Sequence, residues 1–238
     1  MASETTSIVD WVEANRQLAG ATPQEILRWA AETFGSRLTM ATAFGPEGCV
    51  ILHMLSEIDP GVRVFNLDTG YQFAETLELR DRIAGRYGIE VELVRPEESV
   101  EVYELNNGGP VYATDPDRCC RDRKLVPLRR AVQGYDAWIS AIRADQSAHR
   151  AKASVVGWDA KFDLVKINPL LAWTKRDVWA FIVANDVPYN PMHDHGYPSI
   201  GCWPCTRAVG QGADERAGRW AGQAKTECGL HSLDSSQL

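Results

Sequence analysis

Apolar positions along the chain fall into two rhythms, stretches of helical period and short runs rich in apolar residues. SIVDWVEANRQL (7–18) and TPQEILRWAAETF (22–34) have helical spacing, and the second carries Thr22 as a cap and Pro23 in its first turn. RLTMATAF (37–44) then reads as a strand, GPEG as a turn and CVILHMLSEI (49–58) as a helix. VRVFNL (62–67) and IEVELV (89–94) read as further strands, separated by DTG and a helix over YQFAETLELRDRIAGRYG (71–88). After a cysteine-bearing helix over residues 119–132 come two more strands, DAWISAI (136–142) and FDLVKINPL (162–170). TKRDVWAFIVAND (174–186) closes the series as a helix capped by Thr174. Strands alternating with helices predict an α/β fold, a mostly parallel sheet with helices on both faces and ligands at the carboxyl ends of the strands.

Length changes little in this picture: 238 residues, 45% of them hydrophobic, suffice for one core. The expected organisation is one domain, with helices over 1–35, an α/β core over 39–205 and a C-terminal segment over 206–238. Residues 1–20 carry Glu4, Asp10, Glu13 and Arg16, which excludes a secretory signal, and no apolar run reaches membrane-spanning length. A soluble, cytoplasmic protein is expected, with no membrane partner. A net charge of −7 argues against nucleic-acid binding. One window departs from that balance: Arg118, Arg121, Arg123, Lys124, Arg129 and Arg130 face only Asp117 and Asp122, which marks either an anion site or a solvated helix face.

Six cysteines, at 49, 119, 120, 202, 205 and 228, point in such a setting to metal or redox chemistry. Adjacent Cα atoms lie about 3.8 Å apart, shorter than the usual disulfide span, so Cys119 bonded to Cys120 would be strained. Cys202 and Cys205 form a C-x-x-C in a loop rich in Gly and Pro, consistent with a redox pair, a zinc half-site or an iron–sulfur half-site. The adjacent pair does not supply zinc's usual second pair, whereas a four-iron cluster gives each thiolate its own iron. In a helix, Cys120 and Lys124 are one turn apart, as are Cys119 and Arg123, so the cations could offset buried negative charge. Cys49, inside an apolar stretch, reads as a small buried hydrophobe. Cys228, in KTECGLH near Lys225 and His231, has the surroundings of an ionisable thiol. His193 and His195, in the same loop as the C-x-x-C, read as structural.

Polar punctuation collects where the strands should end, at TAFGPEG (42–48), LDTG (67–70) and IRADQS (142–147). Glycine turns opening helices suit phosphate, yet neither a Walker A loop nor a G-x-G-x-x-G pattern is present.

LDTGYQFAET, PDRCCRDRK, PYNPMHDHGYPSIGCWPCTR, ADERAGRW and KTECGLH, in this order, resemble the assimilatory adenylylsulfate and phosphoadenylylsulfate reductases, specifically the cluster-containing adenylylsulfate branch. The resemblance covers residues 39–231 and implies an ATP-pyrophosphatase-like fold. It implies a [4Fe-4S] cluster on Cys119, Cys120, Cys202 and Cys205, and a nucleophile at Cys228. It places the adenosine of adenosine 5′-phosphosulfate near Thr42, Phe44 and Leu67 and the phosphosulfate among Lys124, Arg143, Arg216, Arg219 and His231, and it makes Gly45, Asp68, Thr69 and Gly70 further substrate-binding residues. The implied activity is thioredoxin-dependent reduction to sulfite and AMP in sulfate assimilation for cysteine biosynthesis, by a family whose members form dimers or tetramers. Rival readings are a reductase for the 3′-phosphorylated nucleotide or for both, an ATP-pyrophosphatase that adenylates its substrate, and a non-catalytic iron–sulfur or zinc module. The adenylating class expects a Ser-Gly-Gly-x-Asp-Ser loop, which FGPEGC does not supply.

Overall fold

The computed structural model describes residues 9–210, 212–223, 225 and 229–230. Six strands form one sheet: β1 (Leu38–Thr42), β2 (Arg63–Leu67), β3 (Val91–Val94), β4 (Ala137–Ile139), β5 (Val156–Asp159) and β6 (Leu164–Ile167), in the order β3-β2-β1-β4-β6-β5. All neighbours run parallel except β5, which pairs antiparallel with β6 at one edge. Chain order proceeds outward from β1 through β2 to β3, then returns to the other side of β1 at β4. That reversal is a topological switch point, and it opens a crevice beyond the carboxyl ends of β1 and β4.

Strand periodicity shows why both faces of the sheet are covered. Val64, Ala137, Ile139, Val165 and Ile167 point into one apolar cluster, while the alternating Phe65, Trp138 and Leu164 point into a second. Helices α2 (Pro23–Phe34), α3 (Pro46–Ile58) and α9 (Lys175–Ala184) cover the first face, with Ile26, Leu27, Leu52, Val178 and Ile182 inside it. Helix α8 (Val126–Ala131) covers the second with Leu128. Each fully buried Leu, Ile or Phe of these layers contributes roughly 1.5–3 kcal/mol. Helix α3 is apolar almost all round, as its buried run from Cys49 to Leu52 requires of a helix wedged between sheet and helices.

Local signals set several boundaries. Thr22 and Glu25 form a reciprocal capping box at α2, and Thr174 and Asp177 do the same at α9. Helix α1 (Trp11–Leu18) starts at Asp10, whose carboxylate accepts from Val12 N and Glu13 N. Helix α4 (Ala74–Tyr87) ends at Gly88 in the left-handed conformation, and starts three residues later than its apolar pattern suggests because Tyr71 to Phe73 cross the strand ends.

Three features depart from the sequence expectation. Strand β5 was not expected, since Gly157 and Asp159 interrupt its apolar run; its pairing with β6 sustains it. Short helices α5 (Val100–Asn106) and α6 (Val111–Thr114) fill the region between β3 and the cysteines, too short to show a period. The cysteine helix is not continuous. It comprises α7 (Pro116–Cys120), a π-helical turn over Arg121–Leu125, and α8. Val126 N donates to Arg121 O, five residues back. Pro127 gives the physical reason: its ring presses on the carbonyl four residues before it, and one extra residue in the preceding turn relieves the clash.

Candidate active site

Two cavities meet at the strand ends. The larger, about 210 Å3, is lined by Ala41 to Ala43 and Gly45 to Gly48 after β1, by Asn66, Leu67 and Thr69 after β2, and by Ala141 after β4. Its other walls include Lys124, Arg150, Arg216, Arg219 and Leu230. The smaller is lined by Cys119, Cys120, Cys202 and Cys205 together with Tyr71, Tyr112 and Trp220. Thr69, Lys124 and Cys202 line both. The expected neighbourhood of Cys120 and Lys124 is therefore found, although the turn between them is π rather than α.

Hydrogen bonds assemble the thiol cavity from distant segments. Cys119 and Cys120 are buried on α7, whose first turn is capped by the Asp115 carboxylate accepting from Arg118 N. The Cys202–Cys205 loop hangs on Tyr71, whose carbonyl accepts from Trp203 N at 2.8 Å. The Thr69 hydroxyl lies 3.2 Å from Cys202 Sγ. Buried Arg123, in the π turn after α7, fastens that turn to the loop after β2: its Nε donates to Thr69 O at 2.6 Å, and its guanidinium lies 5.5 Å from the ring centre of Tyr71 and 5.1 Å from that of Tyr103. Contacts of this kind contribute roughly 0.5–2 kcal/mol each. Among the described residues no group of three or more His, Cys, Asp or Glu is gathered closely enough to hold a metal ion.

Charges around the thiols act in opposing directions. Burial, then the neighbouring Cys120, Cys202 and Cys205, push the Cys119 thiol up to about 12, against the pull of Lys124. Burial and Cys202 raise Cys205 as well, opposed by Lys124, Arg219 and Lys225. The four sulfurs thus raise one another while the cations around them pull the other way, which makes this cavity the place where thiols and positive charge meet. Cys49 stands apart, fully buried in the core with its thiol raised to about 12 by burial, as expected of a small hydrophobe.

The predicted nucleotide residues separate into groups. Thr42, Gly45, Leu67 and Thr69 line the larger cavity, with Lys124, Arg216 and Arg219. Phe44 does not. It takes a left-handed backbone (φ 55°) and turns its ring into the core. Asp68 shapes the turn instead, accepting from Gly70 N at 3.0 Å and pairing with Arg95 at 2.9 Å. Gly70 has φ 77°, and a side chain there would lie 2.5 Å from Val100 Cγ2, so its contribution is the tight turn that presents Thr69. Arg143, expected beside the phosphosulfate, is only 1% exposed and is absent from the cavity wall. It is bound to Glu47, to Asp145 at 2.8 Å and to Glu215 at 3.0 Å. Cys228 and His231 lie outside the described residues.

Arg219 sits over the indole of Trp220, 4.5 Å from its ring centre, and packs so closely on Gly201 that any side chain there would overlap its guanidinium. Arg219 N donates to Arg216 O at 2.9 Å, closing a turn that aligns both arginines at the cavity.

Several wall residues were not anticipated: Glu47, Asn66, Gln72, Arg150, His193 and Glu215. Gln72 donates from Nε2 to Asn66 Oδ1 at 2.7 Å and to Leu67 O at 3.0 Å, which stiffens the end of β2. His193, read as structural, packs edge-on against Trp179, and its Nε2 is buried with no hydrogen-bond partner. Burial lowers its pKa to about 4, so the ring is neutral near pH 7. The available signal for Gln72 was its place just after LDTG; for His193 it was its place in the C-x-x-C loop.

A mostly parallel sheet reversing beside β1, with a cavity beyond the reversal, is an ATP-pyrophosphatase-like α/β fold. The chain belongs to the phosphoadenosine phosphosulfate reductase domain family, which it matches over residues 37–208. It is 47% identical over 220 residues to the phosphoadenosine 5′-phosphosulfate reductase of Gloeobacter violaceus, covering 91% of each chain. It is 44% identical to the adenosine 5′-phosphosulfate reductase of Rhodococcus opacus, covering 90% of each. The crystal structure of phosphoadenylyl-sulfate reductase from Candida auris, a phosphate complex, superposes with a TM-score of 0.74 at 33% identity, covering 84% of this chain and 96% of that one.

Proposed function

We propose that the protein reduces adenosine 5′-phosphosulfate to sulfite and AMP at the expense of a dithiol. The observation that carries this reading is Lys124, which lines both the thiol cavity and the nucleotide cavity and so joins the two in one site. The names of relatives at 42–47% identity support it. The nucleotide occupies the larger cavity, with its phosphosulfate beside Lys124, Arg216 and Arg219. Guanidinium forks match the planar faces of phosphate and sulfate oxygens, and Lys124 acts as a point charge. The Cys228 thiolate attacks sulfur; the bond between sulfur and the bridging oxygen breaks, and its electron pair leaves with AMP. Lys124, Arg216 and Arg219 stabilise the charge that grows on the departing phosphate. A thiolate of a thioredoxin-like dithiol then attacks Cys228 Sγ, sulfite departs with the electron pair, and the second thiol resolves the mixed disulfide.

Cys119, Cys120, Cys202 and Cys205 would hold a [4Fe-4S] cluster; what supports this is that two buried and two half-buried cysteines from two segments line one cavity with Lys124 alongside, although they are not drawn together around a single ion position. Bound there, the cluster supplies positive charge that organises the thiolates, and no electron needs to pass through it. Arg123 holds the π turn after α7 against the Thr69 loop, so the same guanidinium sets the position of Lys124, one residue on.

Intact mass spectrometry tests the chemistry. Protein incubated anaerobically with adenylylsulfate and no dithiol should gain one sulfonate, discharged by thioredoxin, and Cys228→Ser should gain none. Absence of the adduct with this nucleotide and with its 3′-phosphorylated relative would overturn the reading. A second reading, carried by the name of the Gloeobacter relative, takes the 3′-phosphorylated nucleotide, and the same assay separates the two.

A further inference from the structure

We propose that Arg143 is a positioning residue that clamps Glu215 and thereby aims Arg216 into the nucleotide cavity. Three carboxylates already occupy its guanidinium. Nε pairs with Asp145 Oδ1 at 2.8 Å, Nη2 with Glu215 Oε2 at 3.0 Å, and Nη1 with Glu47. A direct grip on a phosphosulfate would require breaking one of these contacts at a site only 1% exposed.

The clamp itself is immobile. Arg143 N donates to Gln146 Oε1 at 3.0 Å, and Asp145 spends its other oxygen on Lys175 N at 3.1 Å, which ties the group to the start of α9. Glu47 belongs to the first turn of α3. Three elements around the switch point thus hold one guanidinium in place.

What it holds is the near end of the turn that bears Arg216. The far end of that turn is fastened to the C-x-x-C loop: Arg207 N donates to Gly218 O at 2.9 Å, and Trp220 N donates to Cys205 O at 3.0 Å. Between the two anchors, Asp214 Oδ1 accepts from Arg216 N at 2.8 Å and Ala217 N donates to Asp214 O at 3.0 Å. Arg216 is therefore slung between the sheet and the cysteine loop, and the Glu215 contact fixes its near side to the sheet. A bidentate-capable arginine loses much of its value when its backbone is free to shift, because the phosphate contact depends on angle as well as distance.

The inference rests on the proposed function for the identity of the ligand, and its test is built to separate the two. AMP affinity by calorimetry and adenylylsulfate kinetics are measured for the cluster-loaded wild type, Glu215→Gln, Arg216→Ala and the double variant. Glu215→Gln should weaken AMP about tenfold and raise KM in proportion, the scale of a lost charge-assisted contact, with kcat within about twofold; the thermal midpoint falls, because a buried ion pair loses one partner, while the protein stays folded at the assay temperature. The double variant should be no worse than Arg216→Ala alone, since Glu215 acts through it. Arg143→Lys, which keeps the charge but lacks the three-way fork, should reproduce Glu215→Gln. Unchanged AMP affinity in Glu215→Gln, or additive losses in the double variant, overturns the inference. Failure of the wild type to turn over either nucleotide, with the AMP coupling intact, overturns the function reading and leaves the clamp standing.

Discussion

The thiol cavity and the larger cavity, proposed above for the nucleotide, share a wall, yet they are built on opposite plans. The thiol cavity draws on two short sequence blocks, 116–124 and 202–205, braced by Tyr71, Tyr112 and Trp220. The nucleotide cavity gathers wall residues from strand ends and loops spread from Ala41 to Leu230. In the first, side-chain type sets role: a cysteine pointing inward is a ligand candidate, whatever else surrounds it. In the second, role depends on what each side chain is already bonded to. Arg216 and Arg219 reach the cavity, while Arg143, of the same residue type, is consumed by carboxylates. Charge in the sequence is a quantity; in the folded chain it has an address.

The comparison breaks most sharply at the cysteines. Cys202→Ala should abolish iron binding, read as loss of visible absorption and of iron in the purified protein, and turnover should fall to background; retained iron at wild-type stoichiometry would refute its place as a ligand. Lys124→Ala probes the shared wall. It should keep its iron yet lose about 100- to 1,000-fold in kcat, the scale of one removed electrostatic donor, and wild-type kinetics would show the two cavities to be independent.

The smallest effect belongs to His193 at the back of the nucleotide cavity. Its folded pKa, about 4, lies below its ordinary value of 6.5, so the unfolded chain binds the proton more readily. Its contribution is fully present above about pH 6.5 and is lost as pH falls through the window down to about 4, to a limit of about 3 kcal/mol. His193→Gln should flatten the fall of the thermal midpoint between pH 7 and pH 4.5; a variant with the wild-type slope would place the acid sensitivity elsewhere.

Much of the scaffold was legible because its signals are local. Thr22 with Pro23, Thr174, and the short runs of β1, β2, β3, β4 and β6, rich in Val, Leu, Ile, Phe and Met, each point to one element. Strand β5 was not legible, since four residues containing Gly157 and Asp159 become a strand only through the ladder to β6. At the site, the four cysteines, Lys124, Arg216 and Arg219 were legible as residue types within tight motifs. Phe44 and Arg143 were not. The positive φ of Phe44 follows from how the chain leaves β1, and the partners of Arg143 stand at 47, 145 and 215, which only the fold brings together.

The π turn before Pro127 gives the cysteine helix a built-in spare residue, held at the point where the two cavities join. Spare residues make a helix sensitive to length rather than to composition. Deleting one position within 121–125 would let the turn relax to ordinary winding, closed four residues back rather than five, and would change which side chains face the cavities across it. Deletion at 121 or 122 would change the spacing of Cys120 and Lys124 even with both side chains retained. Insertions and deletions here are therefore a harsher filter than substitutions, and the count of residues between Cys120 and Pro127 is itself part of the site.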